Sequence, residues 1–444
     1  MKLVATFRIS MAVTVVALLY WTLASGLAPE ETYWPYWRGP AADGMAVGNA
    51  PLNWSDTQNI RWQTDIPGLG NSSPVVWGDQ VFLTTAIRTG APAAAAPEAG
   101  ARGRAPSGPQ AEHNFDVLCL DRKTGRLLWQ RTAKTAVPHE GAHQTYGSFA
   151  SNSPVTDGRH VYAFFGSRGM YCYDMKGNLV WQKDFGVQMR MRSAFGEGRG
   201  PVLSGERLIL VFDHEGDSFM VVLDNTTGKE IWRAARDEIS SWAAPLVVEA
   251  GGRKQVVVSA TRRVRSYDLE TGTLIWECSG LGSNVIPHPV RQDDLIFIMS
   301  GHQNPKLMAI RLGREGDLTD TDAVVWSKVN GNSYTPSPVI FDNKLYVLTD
   351  SGMISCYNAR TGEAYYQQAR LPKANSFKSS PVGANGRLYL ASENEDVYVL
   401  RMGERYEVLA TNTLTDQVFI ATPAITGSEI FLRSKTRLYC VREP

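Results

Sequence analysis

Cysteine is scarce in this sequence, and none of it is arranged for chemistry. The 444 residues include only Cys119, Cys172, Cys278, Cys356 and Cys440, which are far apart in the chain. The sequence has no CxxC and no CxxCH motif. A disulfide framework and a covalently attached c-type haem are therefore not predicted. Four of the five cysteines lie in strand-like runs, where we expect them to be small buried apolar residues.

An excess of charge of either sign is also missing. Lys and Arg number 45 against 44 Asp and Glu, which gives a net charge of +1. A protein that binds nucleic acid needs a basic surplus to meet the phosphates, so no nucleic-acid partner is predicted. The sequence also lacks a P-loop, a GxSxG motif and a GxGxxG motif after a strand. Nothing in it therefore supports nucleotide or serine-hydrolase chemistry.

Long apolar runs are absent except at the N-terminus. Lys2 and Arg8 precede an uncharged stretch over residues 9–28 that ends in small residues. A basic start, an apolar stretch and a small-residue end are typical of a secretory signal. We therefore predict that residues 1–28 are a signal peptide and that the protein is exported, to the periplasm or beyond the cell. The alternative is an uncleaved anchor, because residues 9–28 are long enough to hold the protein to a membrane.

An internal repeat dominates the rest of the chain. Eight times, a proline flanked by small or polar residues precedes a short apolar segment, at Pro74, Pro154, Pro201, Pro245, Pro289, Pro338, Pro381 and Pro423. From Pro154 onward the spacing averages about 45 residues, the length of a propeller blade. Each repeat contains short apolar runs separated by turns rich in Gly, Asp or Asn. We therefore predict an all-β fold, an eight-bladed β-propeller of four-stranded antiparallel blades over residues 59–444.

The last repeat stops too close to the C-terminus to include a fourth strand. The segment 59–67 contains Trp62 in the matching position, so we expect this N-terminal strand to complete the last blade and close the ring. Residues 29–58 then form an N-terminal extension. Residues 89–112 are rich in Ala, Pro and Gly and are predicted to be a disordered insertion in blade 1. The tryptophans expected to pack between blades are Trp62, Trp129, Trp181, Trp232, Trp276 and Trp326.

The run D-x-x-T-G-x-x-x-W occurs at 121–129, 224–232 and 268–276. It resembles the tryptophan-docking repeat of the pyrroloquinoline-quinone (PQQ) propeller superfamily, which includes PQQ-dependent dehydrogenases, BamB-like outer-membrane assembly factors and exported PQQ-binding-like proteins. The resemblance extends over most of the chain and implies the propeller fold. It says little about function, because these residues serve contacts between blades.

Two functions fit this resemblance, and a hydrolase or lyase on the propeller face is kept as a third hypothesis. The first is an exported non-catalytic propeller that binds a protein or small-molecule partner as a scaffold, with no cofactor, metal or catalytic residue. The alternative is a PQQ-dependent oxidoreductase of alcohols or sugars, in which the resemblance implies a tryptophan floor and a Ca²⁺ ion held by Glu, Asn and Asp. Trp242 could supply the floor, and Asn152 with Glu197 could supply ligands. The sequence has no two adjacent cysteines for the family's disulfide and no convincing catalytic base. Whether the chain is an enzyme is therefore left open, and the non-catalytic function is favoured.

Most of the candidate binding residues lie in the segments that enter the first strands, which should converge on the mouth of the central channel. They are Asn152, Arg192, Glu197, Trp242, His288, Tyr334 and Lys378, and a nearby loop adds Glu140 and His143. Residues 139–143 also match the zinc-protease pattern HExxH, which requires a helix. Pro138 and Gly141 disfavour a helix there, so we predict a loop and no metal site. The acidic segment 213–217, which includes His214, is likewise expected to be a solvated loop.

Overall fold

The computed structural model describes residues 33–90 and 111–443. Within these ranges the strands form eight small sheets, each built on four antiparallel strands that follow one another from the channel outward. The predicted eight-bladed propeller is therefore confirmed. The second strands are rich in buried apolar residues because neighbouring blades cover both of their faces, and Leu295–Ser300 is buried along its whole length.

Blades 1 to 4 follow the repeat in sequence order. Blade 1 contains Val75–Trp77, Gln80–Arg88, His113–Asp121 and Leu127–Ala136. Blade 2 contains Val155–Thr156, His160–Phe164, Met170–Asp174 and Leu179–Lys183. Blade 3 contains Val202–Ser204, Arg207–Phe212, Ser218–Asp224 and Glu230–Arg236. Blade 4 contains Leu246–Ala250, Arg253–Val258, Val264–Asp268 and Leu274–Cys278, with the short strand Gly316–Asp317 added in parallel at its outer edge.

Blades 5 to 8 complete the ring. Blade 5 contains Val290–Gln292, Leu295–Ser300, Lys306–Arg311 and Val324–Lys328. Blade 6 contains Val339–Phe341, Lys344–Leu348, Met353–Asn358 and Ala364–Arg370. Blade 7 contains Val382–Ala384, Arg387–Ala391, Asp396–Arg401 and Val408–Thr413. Blade 8 contains Ala424–Thr426, Glu429–Arg433 and Arg437–Val441, and its outer strand is Ile60–Asp65.

The outer strand of blade 8 comes from the N-terminal side of the propeller, as the sequence predicted. Ile60–Asp65 pairs antiparallel with Arg437–Val441, so the first and last parts of the domain share one sheet. The Trp62 ring then packs on blade 1, where its indole N–H donates to the Arg122 carbonyl at 2.9 Å. A Cβ on Gly125 would lie 2.4 Å from this ring, so the turn requires glycine for steric reasons as well as for its positive φ of 72°.

The same contact recurs around the ring. Indole N–H groups donate to carbonyls of the next blade at 2.8–3.1 Å from Trp129, Trp181, Trp232 and Trp326. Trp276 differs from this pattern, because its N–H points to Gln255 of its own blade at 3.3 Å. Blade 5 has a long connection between its third and fourth strands in place of the D-x-x-T-G turn, and part of that connection, Gly316–Asp317, lies beside the strand of Trp276.

A ring of side-chain hydroxyls joins the blades around the channel. We call Ser73, Ser153, Ser337, Ser380 and Thr422, which directly precede the repeat prolines of their blades, the hydroxyl belt. Each of these hydroxyls accepts the backbone N–H of the corresponding residue in an adjacent blade, at 2.8–3.1 Å. The belt runs through blades 5, 6, 7, 8, 1 and 2. It stops at blades 3 and 4, where Gly200 and Ala244 occupy the same position without a hydroxyl.

Residues 33–46 enter the channel and close one of its ends; we call this segment the plug. Trp34 forms two backbone hydrogen bonds with Val76 of blade 1, and Met45–Ala46 adds a parallel strand to blade 7. Arg38 is fully buried and donates to the carbonyls of Pro338 and Pro381 at 2.6 and 2.8 Å. The predicted extension is thus packed against the propeller from residue 33 onward.

Two other predicted segments fall mainly outside the described residues. The signal or anchor of residues 1–28 lies entirely outside them, and so does the insertion from 91 to 110. At the edges of the insertion, Thr89 donates its N–H to the Glu112 carbonyl at 2.9 Å, next to the strand ends at Arg88 and His113. In the ranges that the structure covers, no helix has the length and apolar character needed to cross a membrane.

Ring closure through Trp62 can be tested by truncating its side chain. The ring is 8 % exposed, and removing it leaves a cavity between blades 8 and 1. We expect Trp62→Ala to lower the free energy of unfolding by about 3–5 kcal/mol. Urea denaturation followed by circular dichroism measures this loss. Leu128→Ala, at an exposed position on the rim of blade 1, is the matched control and should change stability by less than about 0.5 kcal/mol. Equal losses in both variants would contradict closure through Trp62.

Candidate functional site

The channel is closed by the plug on one side and has a cavity on the other, at the level of the hydroxyl belt. The cavity has a volume of about 140 Å³, and Trp37 of the plug contributes to its lining. Trp242 and Lys378, both predicted site residues, also line it. The segments that enter the first strands surround this side of the channel, which we call the mouth face. Asn71 and Ser151 from two of these segments line the same cavity.

The loop 138–150 extends over part of the mouth face. Its HExxH segment is not helical, which agrees with the loop expected from Pro138 and Gly141. The His143 ring stacks on Tyr146 at 4.7 Å, and its Nδ1 accepts the backbone N–H groups of Thr145 and Tyr146. Burial, and secondarily the charge of Lys378, lowers the pKa of His143. Accepting these bonds requires a neutral Nδ1, so the geometry and the pKa shift agree.

Contacts with blades 7 and 8 hold this loop in place. The Lys378 ammonium of blade 7 lies 4.6 Å from the centre of the Tyr146 ring. Lys435 of blade 8 donates to the Thr145 carbonyl at 3.0 Å, and Asn71 donates to the Tyr146 carbonyl at 2.6 Å. His143 and Lys378, which are far apart in sequence, therefore belong to one cluster at the mouth.

A second cluster joins the predicted residues Glu140 and Glu197 to His139. Ligand atoms of these three side chains lie within 4.8 Å of one another, an arrangement compatible with a metal ion. Each of them already has a protein partner. Glu197 accepts from Ser167 Oγ at 2.7 Å and from Arg168 Nη1 at 2.8 Å. His139 Nε2 lies 2.8 Å from the Met189 carbonyl, which it can approach only as a donor.

The charge of Arg168 also argues against a divalent cation there, since it already compensates one of the two carboxylates. Glu140 has weaker partners, because both of its oxygens share the single backbone N–H of Met191 at 3.1 and 3.3 Å. Burial, and secondarily the charge of Glu197, raises the pKa of Glu140 to about 7. This carboxyl group therefore changes its charge close to neutral pH.

The acidic segment 213–217 is less solvated than the sequence predicted. Asp213 is buried and forms a two-pronged ion pair with Arg236, at 2.7 and 3.1 Å. Arg199 lies 3.4 Å from the same carboxylate. Burial alone would raise the pKa of Asp213, but the two arginines outweigh it and lower the pKa. The expected solvated loop is wrong at this residue, because two cations distant in sequence are available to compensate the buried charge.

The other predicted residues are spread over the mouth face and the channel wall. His288 is buried, with Nδ1 at 3.0 Å from the Ala244 carbonyl and Nε2 at 3.2 Å from the Ala42 carbonyl of the plug. Burial, then the charge of Arg38, lowers its pKa to about 3, so the ring is neutral and donates to only one of the two carbonyls. Asn152 is buried, and its side-chain oxygen lacks a hydrogen-bond partner among the described atoms.

Tyr334 and Arg192 remain near the surface of the mouth. The backbone N–H of Tyr334 donates to Asp350, and its hydroxyl lies 3.5 Å from Asn284. The backbone N–H of Arg192 donates to Ser240 Oγ at 2.8 Å. This hydrogen bond anchors the backbone of the loop and does not involve the guanidinium. The predicted binding residues are thus divided between the cavity, the loop 138–150, the Glu140 cluster and the interior. Their role in ligand binding stays a prediction.

A groove lies beside the loop, between blades 1 and 2. Its volume is about 450 Å³ and its walls are mostly apolar. Leu69, 56 % exposed, lines it together with Ala142 and Phe149. Arg88 and His113 also contribute to its lining. Arg88 is exposed and has no ion-pair partner within the described ranges.

Comparison with known proteins assigns this chain to a family. A family described as outer membrane protein assembly factor BamB matches residues 113–321 and 314–405 of the sequence. This chain belongs to the BamB-like propeller family. No curated protein sequence is significantly similar to it.

Solved structures agree with the family at the level of the fold. BamB from Moraxella catarrhalis superposes with a TM-score of 0.54 at 13% identity, over 81% of this chain and 99% of that one. Quinohemoprotein alcohol dehydrogenases from Pseudomonas putida HK5 and Comamonas testosteroni give TM-scores of 0.58 and 0.59 at 10% identity. Each match covers 93% of this chain, and 80% and 81% of the respective enzyme. At such identities the similarity concerns the fold alone, which BamB-like scaffolds and quinoproteins share.

The residues that the sequence analysis missed are mainly those of the plug and the belt. The segment WPYWRGP was predicted only as part of the N-terminal extension, yet it places Trp37 and Arg38 in the channel. The hydroxyl belt had a visible signal, because Ser or Thr precedes five of the eight repeat prolines. Arg168 and Arg236 had none, since their carboxylate partners Glu197 and Asp213 are brought to them only by the fold.

The raised pKa of Glu140 predicts a pH-dependent loss of stability. Well below pH 4.5, Glu140 is neutral in both the folded and the unfolded chain. Between about pH 4.5 and 7 the unfolded chain ionises first, so this group destabilises the fold as pH rises. Because the carboxyl is half-exposed, we expect Glu140→Gln to gain only about 1 kcal/mol at pH 8 relative to pH 4.5.

Thermal and urea unfolding of Glu140→Gln and the parent protein at pH 4.5, 6 and 8 measure this difference. Glu404→Gln, at an exposed position, is the control and should follow the parent protein at every pH. If Glu140→Gln also follows the parent protein, the carboxyl titrates normally and the environment described for it is incorrect.

Proposed function

We propose that this chain is an exported, non-catalytic propeller that binds a protein partner on its mouth face. The observation that carries the proposal is the open apolar groove between blades 1 and 2, with Leu69 more than half exposed at its wall. Large exposed apolar surfaces on soluble domains generally mark binding sites. The family's description as an assembly factor supports the same role.

The partner should present an extended apolar segment with acidic residues beside it. Arg88 in the groove wall has no ion-pair partner in the described chain, and Lys435 lies at the end of the loop 138–150. Basic groups beside an apolar groove favour an acidic partner and accelerate its association. The groove would bury the apolar side chains, and the basic groups would set the direction of the bound segment.

The quinoprotein alternative fits the residues less well. A cavity of about 140 Å³ is smaller than ordinary ligand and cofactor pockets, which exceed roughly 300 Å³. Glu197 is hydrogen-bonded to Ser167 and Arg168, so it is a poor candidate for a Ca²⁺ ligand. Asp213 is paired with Arg236 and is a poor candidate for a base. We therefore propose that the chain acts without PQQ.

Site-specific photo-crosslinking in the native host tests the partner proposal. A photoreactive phenylalanine at Leu69 should capture one defined protein, whereas the same residue at Phe341 should not. Phe341 is a suitable control because it is 48 % exposed and does not lie on the mouth face. It is the last residue of the first strand of blade 6, and the mouth face is where the first strands begin. Arg88→Glu should weaken binding of the purified partner at least about tenfold, the loss expected for reversing one complementary charge. Equal crosslinking at both positions would contradict a site on the mouth face.

Titration with PQQ and Ca²⁺ tests the alternative directly. We expect no saturable change in tryptophan fluorescence when both are added to the full exported chain. Trp242→Ala is the control for quenching at the channel mouth, because Trp242 lines the cavity. Stoichiometric binding that Trp242→Ala abolishes would make the oxidoreductase function the better proposal.

A further inference from the structure

The cavity at the hydroxyl belt has a surplus of hydrogen-bond donors. A serine or threonine hydroxyl has one hydrogen to donate and two lone pairs to accept. Each of the five belt hydroxyls accepts a backbone N–H from an adjacent blade, so its position is set by the ring. None of the five donates its hydrogen to an acceptor within the described part of the chain.

These unused donors are buried and belong to one cavity. All five belt residues line it, and Ser73, Ser337, Ser380 and Thr422 are only 1–4 % exposed. A buried donor without an acceptor costs free energy, so the cavity must supply acceptors from outside the protein. One water can accept hydrogen bonds from at most two of the hydroxyls, whereas a single molecule with several acceptor oxygens can accept from more of them together.

The charges around the cavity favour an anion. Lys378 lines the cavity, and no Asp or Glu does so among the residues described. Asp350 and Glu393 pair with Lys378 at 3.1 and 3.9 Å, but neither of them reaches the cavity wall. The described residues that line the cavity therefore offer hydroxyl donors and an ammonium, and the two carboxylates paired with that ammonium are not among them.

A second cation lies on the plug side. The Arg38 guanidinium is 5.5 Å from the centre of the Trp37 ring, and Trp37 lines the cavity. Its hydrogen-bond partners are the carbonyls of Pro338, Pro381 and Asp43, and it forms no ion pair within the described ranges. The charge of Asp43 acts on Arg38 without coming within ion-pair distance, so part of this buried positive charge is left to make the neighbouring cavity more favourable for an anion.

We propose that the belt cavity binds a small oxyanion, with the belt hydroxyls and Lys378 as its hydrogen-bond donors. The shared chemistry is a compact group of acceptor oxygens, which sulfate, phosphate and small dicarboxylates all provide. A volume of about 140 Å³ suits ligands of this size. The site is separate from the apolar groove, so it does not depend on the proposed partner binding.

Isothermal titration of the full exported chain in chloride buffer tests the proposal, with sulfate, phosphate and malonate as separate probes at constant ionic strength. We expect saturable binding at one site per chain for at least one probe. Lys378→Met should weaken it by about tenfold or more, because a charge-assisted hydrogen bond is lost. The relative affinities of the three probes distinguish an inorganic oxyanion from a carboxylate ligand.

A matched pair of variants at Ile420 separates binding from folding. Ile420 lines the cavity and is half-buried. Ile420→Asp places a competing carboxylate beside the donors and should abolish binding, whereas Ile420→Asn has nearly the same size and should retain it. Circular dichroism in chloride establishes whether both variants fold. If Ile420→Asp does not fold, the test rests on Lys378→Met: this variant must be folded and must have lost binding for the proposal to stand.

Three results would overturn the proposal. One is the absence of saturable heat for all three probes. Another is equal binding by the parent protein, Lys378→Met and Ile420→Asp, since sulfate and phosphate also stabilise proteins by exclusion from their surfaces. The third comes from crystals soaked in selenate, if the anomalous signal lies elsewhere than at the belt hydroxyls. Signal within hydrogen-bond distance of those hydroxyls would support the site.

Discussion

Hydrogen bonds from backbone N–H groups to the belt hydroxyls are the contacts on which the centre of this molecule depends. Each blade can bury its faces only against neighbouring blades, so the sheets must meet in a closed ring. At the channel, the N–H of one blade donates to the hydroxyl of an adjacent one from His288 round to Ser153. The hydroxyl is missing at Gly200 and Ala244, and beside Ala244 the His288 ring contacts the Ala244 carbonyl instead.

The plug binds next to the hydroxyl belt from inside the channel. Arg38 donates to the carbonyls of the prolines that follow two belt serines, Ser337 and Ser380. Burial lowers the pKa of Arg38 to about 10 against the opposing charge of Asp43, and burying an arginine without a direct ion pair is costly. Arg433, between blades 8 and 1, is similarly buried and donates to Ser72. Both arginines join segments far apart in the sequence, so we infer that they favour one arrangement of the ring over looser ones.

The carboxylates of the mouth face are mostly engaged in holding loops. Glu197 contacts Ser167 and Arg168, Asp213 contacts Arg236, and Asp350 accepts from Lys378 and two backbone N–H groups. Such side chains give the face a fixed shape, which favours partner binding. Glu140 is the exception, because its pKa of about 7 lets its charge vary near neutral pH. The mouth face therefore combines a rigid frame with an open groove and a donor-rich cavity.

The sequence by itself determined the repeat, the strands and the way the ring closes. These features are local or periodic: the prolines, the D-x-x-T-G turns and Trp62 each appear in the letters, and a blade requires that pattern to bury its faces. Only the tertiary structure decided which polar residues meet. Trp276 keeps its N–H within its own blade because a connection of blade 5 lies beside it. Arg38 reaches prolines some 300 residues away, and Asp213 is paired rather than solvated. Contacts of this kind depend on how the blades are placed around the channel. A single sequence carries no signal for which residues, distant along the chain, are close in space.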